Sequence, residues 1–399
     1  MKYCLALDVA CGRSMACFLS SEGELVLPPT EYRHTKTSFS EMLSPLRNLD
    51  DAEVYVIMES TSVYHLPVER YFRERTDYNV IVINPIIAKD HKRNLRKTKT
   101  DQLDCLNLAN IFFRGDYNLQ SSHEAIYTEM QMLSRQLFHL QQGQIRTKNR
   151  FRQLLALTCP EYNELFSRQF LFSRTALHFI ETYPHCDMVK SESIDALEKC
   201  LGAPYRKRTY NYRKMAEKIK ITLDDNFAAV PVSSLTVGCV VDTIHRLRTE
   251  SAEIESIKER LIALAKHTPL YDLYLSIPGI GPITAALLVA ELKDIRRFDN
   301  IKKLTASCGL DPTIVQSGKT INYHGPISKR GNRNARYVLF NTVMSLLMVT
   351  KRNAPDDPVR LYYEKKRGEG KHHHACVVAC CTKLLRIMFA MSKQNTLYR

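Results

Sequence analysis

The chain has 399 residues, of which 44% are hydrophobic and 25% charged. It is too apolar to be disordered and long enough for two or three domains with buried cores, which excludes a disulfide-stapled mini-protein. The 57 Lys and Arg against 42 Asp and Glu leave a formal charge of +15, which suits a polyanion, nucleic acid above all, better than a small anion. A basic face can also serve solubility alone, so local motifs must decide.

The 12 cysteines are scattered, and Cys4, Cys17 and Cys105 lie within apolar runs. They read as buried free thiols of a reducing cytosol. Asp8 interrupts the short apolar start and no convincing cleavage site follows, so a signal peptide is rejected. The uncharged stretch from Leu273 to Ala290 holds Pro278, Gly279, Gly281 and Pro282 at its centre, and Tyr337 to Thr350 is short for a bilayer. A soluble, cytoplasmic protein without a membrane partner is expected.

In chain order, Lys2 to Val9, Met15 to Ser20 and Gly23 to Leu27 predict a meander of three strands. A helix follows near Ser38 to Leu49, then a strand over Glu53 to Met58, an amphipathic helix over Val63 to Arg75 and a strand over Asn79 to Ile83. A basic run, Lys89 to Lys99, leads into a helix starting at Thr100 or Asp101. The order β-β-β-α-β-α-β matches a ribonuclease-H-like fold. From Glu124 to Lys266 the pattern is helical, and Met132 to Leu157 and Asp242 to Leu264 could pair as coiled-coil arms. Between the arms, four prolines within residues 160–235 predict only loosely packed helices. Beyond Pro269, a helix, the tight turn around Pro278 and a second helix precede another helix pair with a Gly-rich basic loop over Ile301 to Leu339.

Four acids can converge. Asp8 lies near the end of the first strand and Glu59 just after the fourth, while Asp101 and Asp104 share one helix face. Neighbouring first and fourth strands with a helix across them would gather hard oxygen donors for one or two Mg²⁺ ions. The bland alternative makes Asp101 a dipole-favoured N-terminal residue and Asp104 a solvated one. Lys92, Arg93, Arg96, Lys97 and Lys99 would hold phosphates beside these acids, or simply form a solvated loop. Gly279 and Gly281 give the turn at residues 277–281 the look of a helix-hairpin-helix that lets backbone N–H groups meet a phosphate. The competing reading is a tight link between two core helices. Ser317 sits in a polar, turn-rich segment among Lys319, Lys329, Arg330, Arg333 and Arg336, cations suited to phosphate. No triad spacing activates it. His372, His373 and His374 near Cys376, Cys380 and Cys381 lack the paired spacing of a zinc site, and Cys376 and Cys380 fit a buried helix face.

Asp8 in ALDVACG, Glu59 in VIMESTSVYH, Asn84-Pro85, TDQLD around Asp101 and Asp104, SIPGIG, CGLDP, and QSGKT followed by ISKRGNRNAR together resemble the insertion-sequence 110/1111 family of transposases, nearly end to end. The resemblance implies an α/β plus all-α chain: a RuvC-like, ribonuclease-H-type domain over residues 1–120, a helical coiled-coil region over 121–268 and a mostly helical transposase domain over 269–399. It implies an Asp-Glu-Asp-Asp site for Mg²⁺ or Mn²⁺ made by Asp8, Glu59, Asp101 and Asp104, and Ser317 as the nucleophile. A structured guide (bridge) RNA would direct strand exchange between donor and target DNA, with sequence read by base pairing. A homo-oligomer, a dimer or a dimer of dimers in synapsis, would assemble a composite site, in association with a prokaryotic nucleoid. Two other readings stay open: a metal-dependent Holliday-junction-type endonuclease without a covalent intermediate, and a non-catalytic nucleic-acid-binding protein.

Overall fold

Strand β1 (Lys2–Ala10) is buried along nearly its whole length because it occupies the middle of a five-stranded sheet. It pairs antiparallel with β2 (Arg13–Ser20), which pairs antiparallel with β3 (Leu25–Arg33). On its other side β1 runs parallel to β4 (Glu53–Glu59), and β4 parallel to β5 (Asn79–Ile83), giving the order β3-β2-β1-β4-β5. The computed structural model describes residues 1–45, 53–60, 63–83, 101–115, 125–204, 211–317 and 321–398, with the backbone alone at 125, 314–317 and 321–324. These residues form two units, Met1–Ser122 and His123–Arg399.

In the first unit the alternation of strand side chains feeds two cores. Leu5, Leu7, Val56 and Met58 meet Phe39 of α1 (Lys36–Met42) and Val68 and Phe72 of α2 (His65–Arg75) on one face. Cys4, Ala6, Cys17 and Ile57 meet Cys105, Leu108, Ala109 and Phe112 of α3 (Asp101–Arg114) on the other. The third strand runs past the expected end at Leu27, through Pro28 and Pro29. Two residues without an N–H are tolerated there because β3 is an edge strand.

In the second unit two long helices, α4 (Ala125–Thr158) and α10 (Leu235–Ala265), run antiparallel for about 45 Å at 1.5 Å per residue. Gln144 donates to Ser251 at 2.9 Å and Thr147 to Glu250 at 2.8 Å midway along them. Each end of the pair enters a different core. Phe151, Leu155, Val240 and Ile244 join one, and Met130, Leu137, Ile257 and Leu261 the other. The first core is closed by α5 (Tyr162–Leu165), α6 (Arg174–Thr182), α7 (Cys186–Lys190), α8 (Ile194–Gly202) and α9 (Arg213–Asp224). The expectation of loose packing in residues 160–235 is corrected here: Tyr162, Phe166 and Phe179 are fully buried together. Ser173, Ser193 and Ser234 cap α6, α8 and α10 through their hydroxyls, each worth about 1 kcal/mol.

The second core holds α11 (Tyr271–Leu275), α12 (Pro282–Leu292), α13 (Ile301–Ser307), α14 (Arg333–Asn353), α15 (Pro358–Gly368) and α16 (His373–Gln394). Where a helix pair and a loop were expected over 301–339, α13 and α14 enclose a β-hairpin of β6 (Pro312–Ser317) and β7 (Ile321–Ile327). Among the described residues only α16 is long and apolar enough to cross a membrane, and half of its most apolar window is buried. Cys376, Cys380 and Cys381 lie in that buried face, which accounts for them without zinc.

Glu181 of α6 ties the short helices to the long pair. Arg248 of α10 grips its carboxylate with two nitrogens, at 2.7 and 2.6 Å, and His245 lies 2.8 Å away. The Arg248 guanidinium holds the Glu181 carboxyl below its ordinary range. A depressed carboxyl contributes stability that is present above its unfolded value and lost as pH falls through the folded value. Glu181→Gln is therefore expected to cost up to about 1 kcal/mol near neutrality, limited by solvent screening. Urea titrations should find that difference vanishing in acid, once Glu181 is protonated in the wild type.

Candidate active site and nucleic-acid interface

The parallel register of β1 and β4 runs from Lys2 opposite Glu53 to Leu7 opposite Met58. One step further, the same offset sets Asp8 level with Glu59 on strands about 4.8 Å apart. By alternation both belong to the face of Ala6 and Ile57, the face that α3 covers. Both acids are half-buried. The first turn of α3 supplies Asp101, exposed, and Asp104, which is only 7% exposed.

Cys105 fixes that turn against the sheet. Its thiol donates to the Ala6 carbonyl at 3.1 Å and lies 3.4 Å from the Met15 carbonyl and 3.1 Å from the Cys17 sulfur. Burial pushes the Cys105 thiol up, and the neighbouring Cys17 thiol adds to this, so it anchors as a neutral thiol. Asp104, one residue before, is thereby held over the end of β1. The helix N-terminus favours the acids placed there. Among the described residues, no three of these carboxylates bring their oxygens within 4.8 Å of one another.

That closeness occurs among the described residues only at His185, Cys186 and Asp187. His185 Nε2 faces the Val230 carbonyl at 2.8 Å and must donate to it, so Nδ1 accepts from the Asp187 N–H at 3.2 Å. The ring is thus engaged at both nitrogens as the cap of α7, and the trio reads as a helix start.

In the second unit Ser317 ends β6 opposite Ile321, with a three-residue connection between the strands. The base of this hairpin is held by a crossing of two backbones. Gly309 has φ +63°, and a Cβ there would sit 2.5 Å from the Gly331 nitrogen; one on Gly331 would sit 2.2 Å from the Ser307 carbonyl oxygen. Lys329 N–H donates to Gly309 O, Asn332 N–H to Ser307 O, and Ser328 to Asp311 through backbone and side chain. The crossing presents Lys329, Arg330 and Arg333 to solvent. Arg333 opens α14, where cations oppose the helix dipole and an anion would relieve the conflict. Arg336 instead braces the crossing, since one of its guanidinium nitrogens donates to the Cys308 and Gly331 carbonyls at 2.8 and 3.0 Å.

The turn with Gly279 and Gly281 joins α11 to α12. Gly279 has φ +79°, and a Cβ there would lie 2.9 Å from the Ser345 carbonyl of α14, so close helix packing alone demands glycine. Gly281 caps α12 and faces open space. The basic run Lys92, Arg93, Arg96, Lys97 and Lys99, the Asn84-Pro85 pair and Lys319 fall outside the described residues.

Two residues that sequence reasoning passed over, Glu291 and Asn332, complete the C-terminal site. Glu291 of α12 is 4% exposed. It accepts from Ser134 of α4 at 2.7 Å and from Asn332, the cap of α14, at 2.8 Å. The available signal was a lone acid within the otherwise apolar PITAALLVAEL.

Comparison with known proteins fixes the class. Residues 5–160 match a family model of transposases, the DEDD type of the IS110 elements, and residues 271–357 match the transposase model of the IS116/IS110/IS902 family. The chain is 24% identical to an insertion element IS116 protein of Streptomyces clavuligerus, over 75% of this chain and 72% of that one. It is 32% identical to the transposase for insertion sequence element IS1328 of Yersinia enterocolitica, over 37% of this chain and 42% of the relative. A pilin gene-inverting protein of Moraxella bovis is 28% identical over 38% of this chain and 47% of its own length. The chain belongs to the IS110 family of transposases.

The crossing at Gly309 and Gly331 yields a direct expectation. Gly331→Ala forces a methyl against the Ser307 carbonyl and should cost about 2 kcal/mol or more, by the penalty of overpacking against backbone. Gly281→Ala, facing open space, should stay within about 1 kcal/mol. Denaturant titration of the two variants checks the contrast.

Proposed function

We propose that this transposase cuts and rejoins DNA strands through Ser317, with Asp8, Glu59, Asp101 and Asp104 holding divalent metal. The observation that carries the reading is the level placement of Asp8 and Glu59 on neighbouring strands beneath the first turn of α3. The strand order β3-β2-β1-β4-β5, with a helix after β5 across β1 and β4, supports a RuvC-like, ribonuclease-H-type assignment for the first unit. A donor set made only of carboxylates fits Mg²⁺ or Mn²⁺. When bound, such ions stabilise the charge that develops on attacking and leaving oxygens.

The Ser317 hydroxyl attacks a DNA phosphorus and releases its proton to solvent. One Oγ–P bond forms and one P–O bond to a sugar breaks, the freed sugar oxygen taking a proton. A sugar hydroxyl of the partner strand then attacks the phosphoserine, restoring the serine and joining the new strand. Exposed Lys329, Arg330 and Arg333 steady the phosphates during both steps. Lys92, Arg93, Arg96, Lys97, Lys99 and Lys319 are proposed for the same work. On the family reading a structured bridge RNA selects donor and target by base pairing, and the +15 charge serves both nucleic acids. A homo-oligomer, in which one protomer's first unit serves the serine of another, is part of the proposal.

The test combines purified protein, its candidate RNA, and labelled donor and target DNA with Mg²⁺ on denaturing gels. The expected result is a protein–DNA adduct that Ser317→Ala abolishes. Cleavage that leaves no adduct and survives the substitution would instead mark a metal-dependent junction nuclease.

A further inference from the structure

We infer that Glu291 is a positioning residue for the nucleic-acid-binding loop, holding Asn332 so that Lys329, Arg330 and Arg333 meet phosphates from a fixed backbone. The inference rests on the reading of that loop as a phosphate contact.

Both carboxylate oxygens of Glu291 are acceptors. Ser134 donates to one at 2.7 Å; the Asn332 side-chain nitrogen donates to the other at 2.8 Å and to the Glu291 backbone carbonyl at 3.0 Å. The other side-chain atom of Asn332, its oxygen, accepts from the Asn334 and Ala335 N–H groups and starts α14. Its backbone N–H is committed to Ser307. Asn332 therefore has every side-chain donor and acceptor direction engaged, and a single residue joins α12, α14 and the α13 end. The three exposed cations lie within three residues of it. They are long, flexible side chains that lose rotamer freedom on gripping phosphate, so the rigidity of the backbone beneath them decides how much ordering remains to be done on binding.

A carboxylate at 4% exposure within an otherwise apolar helix is a costly choice unless its partners are fixed. A buried apolar residue would serve core packing alone. The acid gives the loop a defined seat, and through Ser134 it links that seat to the long helix α4. A movement of α4 would thus reach the cationic loop through one hydrogen-bonded carboxylate.

The test measures affinity of the full-length protein for duplex DNA, and its dependence on salt, for Glu291→Leu, Glu291→Gln and Asn332→Ser, with thermal melts alongside. Glutamine can accept from Asn332 and donate to Ser134, so it should bind within about threefold of wild type. Leucine removes both acceptors, and serine keeps the α14 cap but cannot span to Glu291. Each should weaken binding about tenfold and lower the salt slope by about one, as for the loss of one phosphate contact. Folded Leu or Ser variants with unchanged affinity and slope would overturn the inference. So would a glutamine variant as weak as the leucine one, and so would failure of both Leu and Ser variants to fold, which makes the pair purely structural. The combined Lys329→Ala, Arg330→Ala, Arg333→Ala variant separates the two levels. If it binds DNA like wild type, the loop is not a phosphate contact and the underlying reading has failed. If it loses affinity while Glu291→Leu does not, only the positioning role has failed.

Discussion

The parallel pairing of β1 with β4 is the constraint on which the first unit's chemistry depends. Because side chains alternate, a slip of one residue would send Asp8 or Glu59 to the opposite face, into the core formed with α1 and α2. The register is held by burial on both faces. Leu5, Leu7, Val56 and Met58 have no exposed surface, and neither do Ala6 and Ile57 behind them. Such a strand pair has one low-energy alignment, and it sets the two acids level. The α3 helix is then fixed over the same strand ends by Cys105.

The second unit reaches a defined loop by different means. Backbone passes over backbone at Gly309 and Gly331, and the Arg336 guanidinium, the Asn332 backbone N–H and the Asp311 carboxylate hydrogen-bond across the crossing. The short hairpin bearing Ser317 springs from this crossing. The long pair α4 and α10 enters the same core through Met130, Leu137, Ile257 and Leu261, so the loop's support extends into the arms.

Much of the first unit was legible because its strands are short apolar runs bounded by turn residues, and the acids stand out at strand and helix ends. The third strand was cut short because Pro28 and Pro29 argue against a strand everywhere except at an edge. The hairpin at 312–327 was read as a loop because Pro312, Gly325 and Pro326 fall within its strands and Gly318 directly follows the first of them in the sequence. The core of residues 160–235 was hidden for another reason. Prolines divide it into helices of 4 to 12 residues, too short for periodicity to register. Glu291 and Asn332 were missed because each matters only through a partner far away in the chain.

The claim that the β1–β4 register builds a metal site is tested most directly by the stoichiometry of Mn²⁺ binding to the full-length protein, measured by electron paramagnetic resonance against the combined Asp8→Asn, Glu59→Gln variant. One or two bound ions per chain are expected in the wild type, and their loss in the variant with its thermal melt preserved. Equal binding by the two proteins would contradict the claim.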